Sequence, residues 1–269
     1  MSRKKNIWRI LKGELIYFIL IFILSVFFIY LKNIGTSIKL LLSVGLLNTL
    51  VLETWFLRAF FLFSGRKISQ YSEVIQRISF KDRFFDYFIL PAVFLNTFMV
   101  YLFFNKDMTM TYWMLGFCML ILLVLFINIK SSLNKFYRIS TLTKGIFNLI
   151  CILTFYLSIN VFLRFDLLIW VKLIIVGILA LIMFLSELKL HDRVTFVSFV
   201  ISLLSAVFVA LSIGIFTFQS IFVATAIGTL AFYMIIALWN IRFAGKYKFI
   251  DYLSPFLYAI IALILIFNL

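Results

Sequence analysis

Residues 15–31 read LIYFILIFILSVFFIYL, a stretch with no charge and a single serine. Runs of this kind recur along the chain, at 40–63, 84–104, 112–129, 146–163, 167–186, 195–215, 221–239 and 252–269. Each is long enough to cross roughly 30 Å of hydrocarbon at about 1.5 Å per residue, provided it is helical. Helix is the required form, because backbone groups in lipid must be satisfied within the segment and the period-two alternation of a membrane barrel is absent. The expected fold is therefore an all-α polytopic membrane protein of about nine transmembrane helices, a single integral membrane domain over 1–269. A chain of 269 residues that is 65% hydrophobic cannot hide that surface in one water-soluble core.

A net charge of +15 would suggest nucleic acid in a soluble protein, so the placement of the charges decides its meaning. Counted over alternate connections, nineteen of the 25 Lys and Arg fall on one side. They lie in the basic segment 1–13, in 64–83, in 130–145, and at Lys189, Arg193, Arg242, Lys246 and Lys248. The other side holds only Lys32, Lys39, Lys106 and Arg164, while Arg58 and Lys172 fall within spans close enough to the ends to snorkel. The positive-inside rule places the N-terminus in the cytoplasm and, with nine spans, the C-terminus outside. The expected setting is a cell membrane, of the bacterial cytoplasmic type. The bilayer and its anionic headgroups at the cytoplasmic face are the expected partners, nucleic acid is not, and a membrane-protein partner or a second copy of the chain is allowed.

The first span has a basic flank and an apolar core without a small-residue cleavage motif, as in an uncleaved signal anchor. Cys118 and Cys151 both fall within spans, which suits packing and not a disulfide. The connection 64–83 contains GRKISQYSEVIQRISFK, in which Ile68, Tyr71, Ile75 and Ile78 recur at helical spacing among Arg66, Lys67, Gln70, Glu73, Arg77 and Lys81. That pattern predicts an interfacial amphipathic helix between the second and third spans. In the seventh span Ser198, Ser202, Ala206, Ala210 and Gly214 stand four apart, a row that lets another helix approach closely. The eighth span, with Ala224 and Gly228, is the expected partner.

KDRFFDYFILP at 81–91 is echoed by KYKFIDYLSP at 246–255, and these segments hold both prolines of the chain. Each marks the cytoplasmic entrance of an outward-running helix, where Asp86 and Asp251 meet the positive end of the helix dipole. Pro91 is expected to free the Tyr87 carbonyl and bend the third span. Ser254 and Pro255 read as N-cap and first helical residue of the last span.

An ionisable side chain inside a span costs a few kcal/mol on insertion scales, so such groups mark a pathway, a site or a structural contact between helices. Glu53 is the clearest case, lying roughly 20 Å by helical rise from the outer end of the second span. No cation stands three or four residues away, so its partner must come from another helix or the carboxyl is protonated. Asn96 in the third span and Asn48, a turn and a half from Glu53, complete the candidate polar site with Asp86.

No enzyme chemistry is legible. The Glu53 and Arg58 spacing is similar to the first motif of CPBP-type intramembrane proteases, but Thr54 occupies the place of the second acid. The lone His191 is preceded by Glu187 and not by Phe four residues earlier, so ligands for a metal or activated water are missing. The paired Asp-rich motifs of UbiA-like prenyltransferases are absent as well. Glu187 and His191 read as a solvated boundary pair, and no metal or cofactor is expected. The expected function is a small transporter or permease-like bundle with a polar site around Glu53. A membrane assembly protein using its basic cytoplasmic face and a lipid-modifying enzyme without a known motif are the alternatives.

Overall fold

The computed structural model describes residues 2–63, 65–67, 75–77, 80, 84–133, 141–191, 195–218, 220–245 and 248–268. Among them, nine helices are long and apolar enough to cross a membrane, as a polytopic membrane protein requires. They are α1 (Ser2–Ile34), α2 (Ile38–Phe63), α3 (Leu90–Phe104), α4 (Met108–Leu133), α5 (Thr141–Arg164), α6 (Ile169–Leu190), α7 (Phe196–Phe216), α8 (Ile221–Phe243) and α9 (Phe249–Asn268). Large apolar side chains stand open to the surroundings all along them, among them Phe61, Trp113, Trp170 and Phe196, each more than 70% exposed. Such surface is untenable in water and natural in lipid.

The helix ends are set by local chemistry. Gly35 and Gly245 take positive φ values of 73° and 71° just beyond α1 and α8, the left-handed turn that closes a helix and that glycine adopts without strain. Asp107 accepts from the backbone N–H groups of Thr109 and Met110 at the start of α4. Thr195 and Ser198 form a reciprocal capping box on α7, and Ser220 caps α8 through Val223 N.

The chain divides into two compact units, 1–147 and 148–269. In the first, α1 packs on α2, and α2 on α3 and α4. Trp55 of α2 is its aromatic centre, stacked 4.1 Å from Phe126 of α4 and 5.5 Å from Phe56, with Phe18 of α1 edge-on at 6.4 Å. A second aromatic group joins Phe60 of α2 to Phe80, Phe84 and Phe88 ahead of α3, with ring centroids 5.0–6.1 Å apart.

One of the two expectations about proline is corrected, that for Pro255. Ahead of α3 the chain winds one π-turn, Phe85–Ile89, in which Leu90 N donates to Phe85 O. The wider turn carries the helix directly into Pro91, whose ring would otherwise meet the carbonyl four residues back. Helix α9 begins at Phe249 and not at Ser254, so Pro255 lies inside it and Asp251 in its first turn. One missing N–H close to a helix start costs a single bond, and the earlier start gives α9 its 20 residues.

Residues 65–67 and 75–77 pair as short antiparallel strands, Gly65 opposite Arg77 and Lys67 opposite Ile75. The rest of the expected amphipathic segment, 68–74, 78, 79 and 81–83, lies outside the described residues.

In the second unit α6, α7, α8 and α9 pack in sequence order, α7 between α6 and α8. Phe232 of α8 ties it together, 4.3 Å from Phe155 of α5 and 4.7 Å from Phe184 of α6. Helix α9 rests on α8 and buries only Pro255 and Ala259.

Candidate intramembrane site

The first unit carries a polar layer in the middle of its spans. Ser25 of α1 donates its hydroxyl to Ile21 O and accepts from Asn48 Nδ2 of α2 at 2.9 Å. Asn48 Nδ2 also approaches Met99 Sδ of α3 at 3.9 Å. One residue further along α2, Thr49 donates to Asn96 Oδ1 of α3 at 3.0 Å, while Asn96 Nδ2 donates to Ala92 O. Three helices are thus joined by side-chain hydrogen bonds at one depth. Polar groups in hydrocarbon have no water to fall back on, which favours such mutual satisfaction.

Satisfaction is incomplete. Asn48 is fully buried, yet its Oδ1 has no hydrogen-bond partner among the described residues. Glu53 lies one turn beyond Thr49 on α2, half-buried, with no hydrogen bond or ion pair among the described residues. The structure therefore does not join Glu53 to Asn96 directly; Thr49 takes that bond. Arg58 is exposed, with its guanidinium 5.8 Å from the Tyr17 ring of α1. Asp86 sits within the π-turn ahead of α3, and its side chain lies outside the described set.

Sequence reasoning left Ser25 and Thr49 out of the candidate site. Ser25 is the sole polar residue in its run, and Thr49 stands four residues before the acid, so the signal for both was the cost of a polar group at mid-span.

The small-residue row of α7 is placed as follows. Ser202, Ala206 and Ala210 are buried. A Cβ on Gly177 of α6 would lie 3.8 Å from Ala210 Cβ, and one on Gly214 would lie 3.1 Å from Leu173 of α6. The far end of the row thus meets α6. The contact with α8 is made by Ile213, whose side chain fills the space a Cβ would need at Gly228. Ser198 donates to Thr195 O within the capping box.

A further polar set in the second unit was misread from sequence. Glu187 is 1% exposed and His191 13%, with Glu187 Oε1 3.3 Å from His191 Nε2, so this is a buried pair and not a solvated one. The imidazole lies 4.9 Å from the Phe243 ring of α8, which supplies the cover that a single helix could not reveal. Asn160, also fully buried, accepts from Arg164 Nε at 2.9 Å, and its Nδ2 has no partner among the described residues. The lysine expected to snorkel at the outer end, Lys172, donates to Leu163 O at 3.1 Å.

Among the described residues no group of three His, Cys, Asp or Glu side chains is arranged to hold a metal. No protein-family model, curated protein or solved structure matches the chain.

Proposed function

We propose that this protein is a small transporter or permease-like bundle in which Glu53 exchanges a proton or a small cation. The observation that carries the reading is an acid at mid-span, half-buried and with no countercharge among the described residues, one turn from a hydrogen-bonded Ser25–Asn48 and Thr49–Asn96 layer. A carboxyl group costs a few kcal/mol in that position and serves where charge must cross. Asn48 Oδ1 is a spare acceptor at the same level and suits a passing cation or water. The basic connections orient the bundle with its N-terminus in the cytoplasm, against the anionic headgroups of that face.

Reconstitution in liposomes tests the proposal. Wild-type protein is screened for proton and solute flux beside Glu53→Gln and empty vesicles. Transport above the empty vesicles that falls at least about tenfold in Glu53→Gln supports the assignment; about 1.4 kcal/mol corresponds to that factor. Wild-type flux equal to that of empty vesicles removes the transporter reading. Flux that survives in Glu53→Gln removes Glu53 from it.

A further inference from the structure

The second unit has an open cavity of about 360 Å³ at the end where α5 turns into α6 and α7 into α8. Its lining reaches from Ala224, fully buried, and Leu163, 5% exposed, to Phe218, 92% exposed. Ile169 and Ile221, the first residues of α6 and α8, supply further apolar wall. Thr217 also lines it but commits its hydroxyl to Gly214 O.

Lys172 is the one charged residue lining this cavity among the described residues. Its ammonium has three donors, and one goes to Leu163 O. The other N–H groups have no partner among the described residues. A cation between apolar walls is costly until an anion joins it. Around it, Arg164 lays its guanidinium 5.8 Å from the Phe222 ring, and Asp166 is exposed in the same connection, so this end keeps a net positive charge.

We propose that the cavity binds the head of an anionic phospholipid from the membrane leaflet at this end. The phosphate takes the remaining donors of Lys172. The glycerol and first methylenes lie along Leu163, Ile169, Ile221 and Ala224, and the acyl chains leave past Phe218 into the bilayer. Size agrees with this occupant: at about 30 Å³ per water, the space suits a phosphoglycerol head but not two chains. A free phosphate would gain nothing from the apolar walls, whereas a lipid uses both parts of the site. All these residues belong to 148–269, so the assignment stands apart from the proposal for Glu53.

The test uses the full chain purified in a neutral detergent. Dioctanoyl phosphatidylglycerol, dioctanoyl phosphatidylcholine and inorganic phosphate are titrated, with binding read by native mass spectrometry and melting temperature. Wild type and Lys172→Arg should bind the glycerol lipid and melt higher in its presence. Lys172→Gln and Ile221→Trp should bind it about tenfold more weakly. Lys172→Gln also weakens the contact to Leu163, so Ile221→Trp, which fills the cavity and leaves that contact in place, is the independent arm. Equal binding of the choline lipid, unchanged binding in both variants, or a matching shift from inorganic phosphate alone would overturn the assignment.

Discussion

Lys32 of α1 donates its ammonium to the carbonyl of Leu102 in the last turn of α3, across 2.7 Å. The same ammonium reaches Asn105 O, just beyond the helix end. A helix leaves its last carbonyls unsatisfied and concentrates partial negative charge there, so a cation supplied by a neighbouring helix answers both needs. Lys172 of α6 treats Leu163 at the end of α5 in the same way. Lys32→Met should destabilise the folded protein by about 1 kcal/mol, and Lys32→Arg by less. Thermal unfolding in detergent compares the two. An unchanged midpoint for the methionine variant would mean that water satisfies those carbonyls equally well.

Gly228 of α8 faces Ile213 of α7 with no room for a side chain. Gly228→Ala should cost about 1–3 kcal/mol, as overpacking of a filled site does. Ile213→Val removes a methyl from the facing side chain and should recover part of that loss in the double variant. Additive losses in a double-mutant cycle would show that the two positions do not press on each other.

The Thr49–Asn96 hydrogen bond joins α2 to α3. A cycle built from Thr49→Val and Asn96→Ala should give a coupling of about 0.6 kcal/mol, the usual worth of such a bond between membrane helices. Each single variant should also alter flux through the proposed Glu53 pathway, since the layer lies one turn from the acid. Stability loss without any effect on flux would confine the bond to packing.

The orientation can be read with thiol chemistry, because Cys118 and Cys151 are 1% and 3% exposed and give a quiet background. Lys106 and Lys248 are exposed, in the α3–α4 and α8–α9 connections. An impermeant maleimide added to intact cells should label Lys106→Cys and not Lys248→Cys. The reverse pattern would invert the bundle, and labelling of both would change the number of crossings between them.

The nine helices were legible in the sequence because hydrocarbon thickness leaves a coarse and repeated signature. Glu53, Asn48 and Asn96 were legible for a related reason: a polar group at mid-span is costly enough to stand out. Partner choice was not. The row ending at Gly214 says that something comes close, but Ala210 and Gly214 meet Gly177 and Leu173 of α6, a match that depends on how three helices turn about their axes. The Glu187–His191 pair looked solvated because the ring beside His191 is Phe243 of α8, more than fifty positions away in the chain. The π-turn before Pro91 and the early start of α9 were hidden because proline tells where an N–H is missing, not how neighbouring turns absorb the loss.

Helix α9 touches its unit along a narrow seam that buries only Pro255 and Ala259, while residues such as Phe256, Ile260 and Leu265 face outward. Few contacts resist a change in its inclination, so bilayer thickness has unusual leverage on it. In a thinner membrane a helix of this length lowers the cost of mismatch by leaning, at a fraction of a kcal/mol per ångström. The other helices of the unit, held along longer seams, lean less readily, and α9 becomes the part of the protein whose posture reports the thickness of the surrounding lipid.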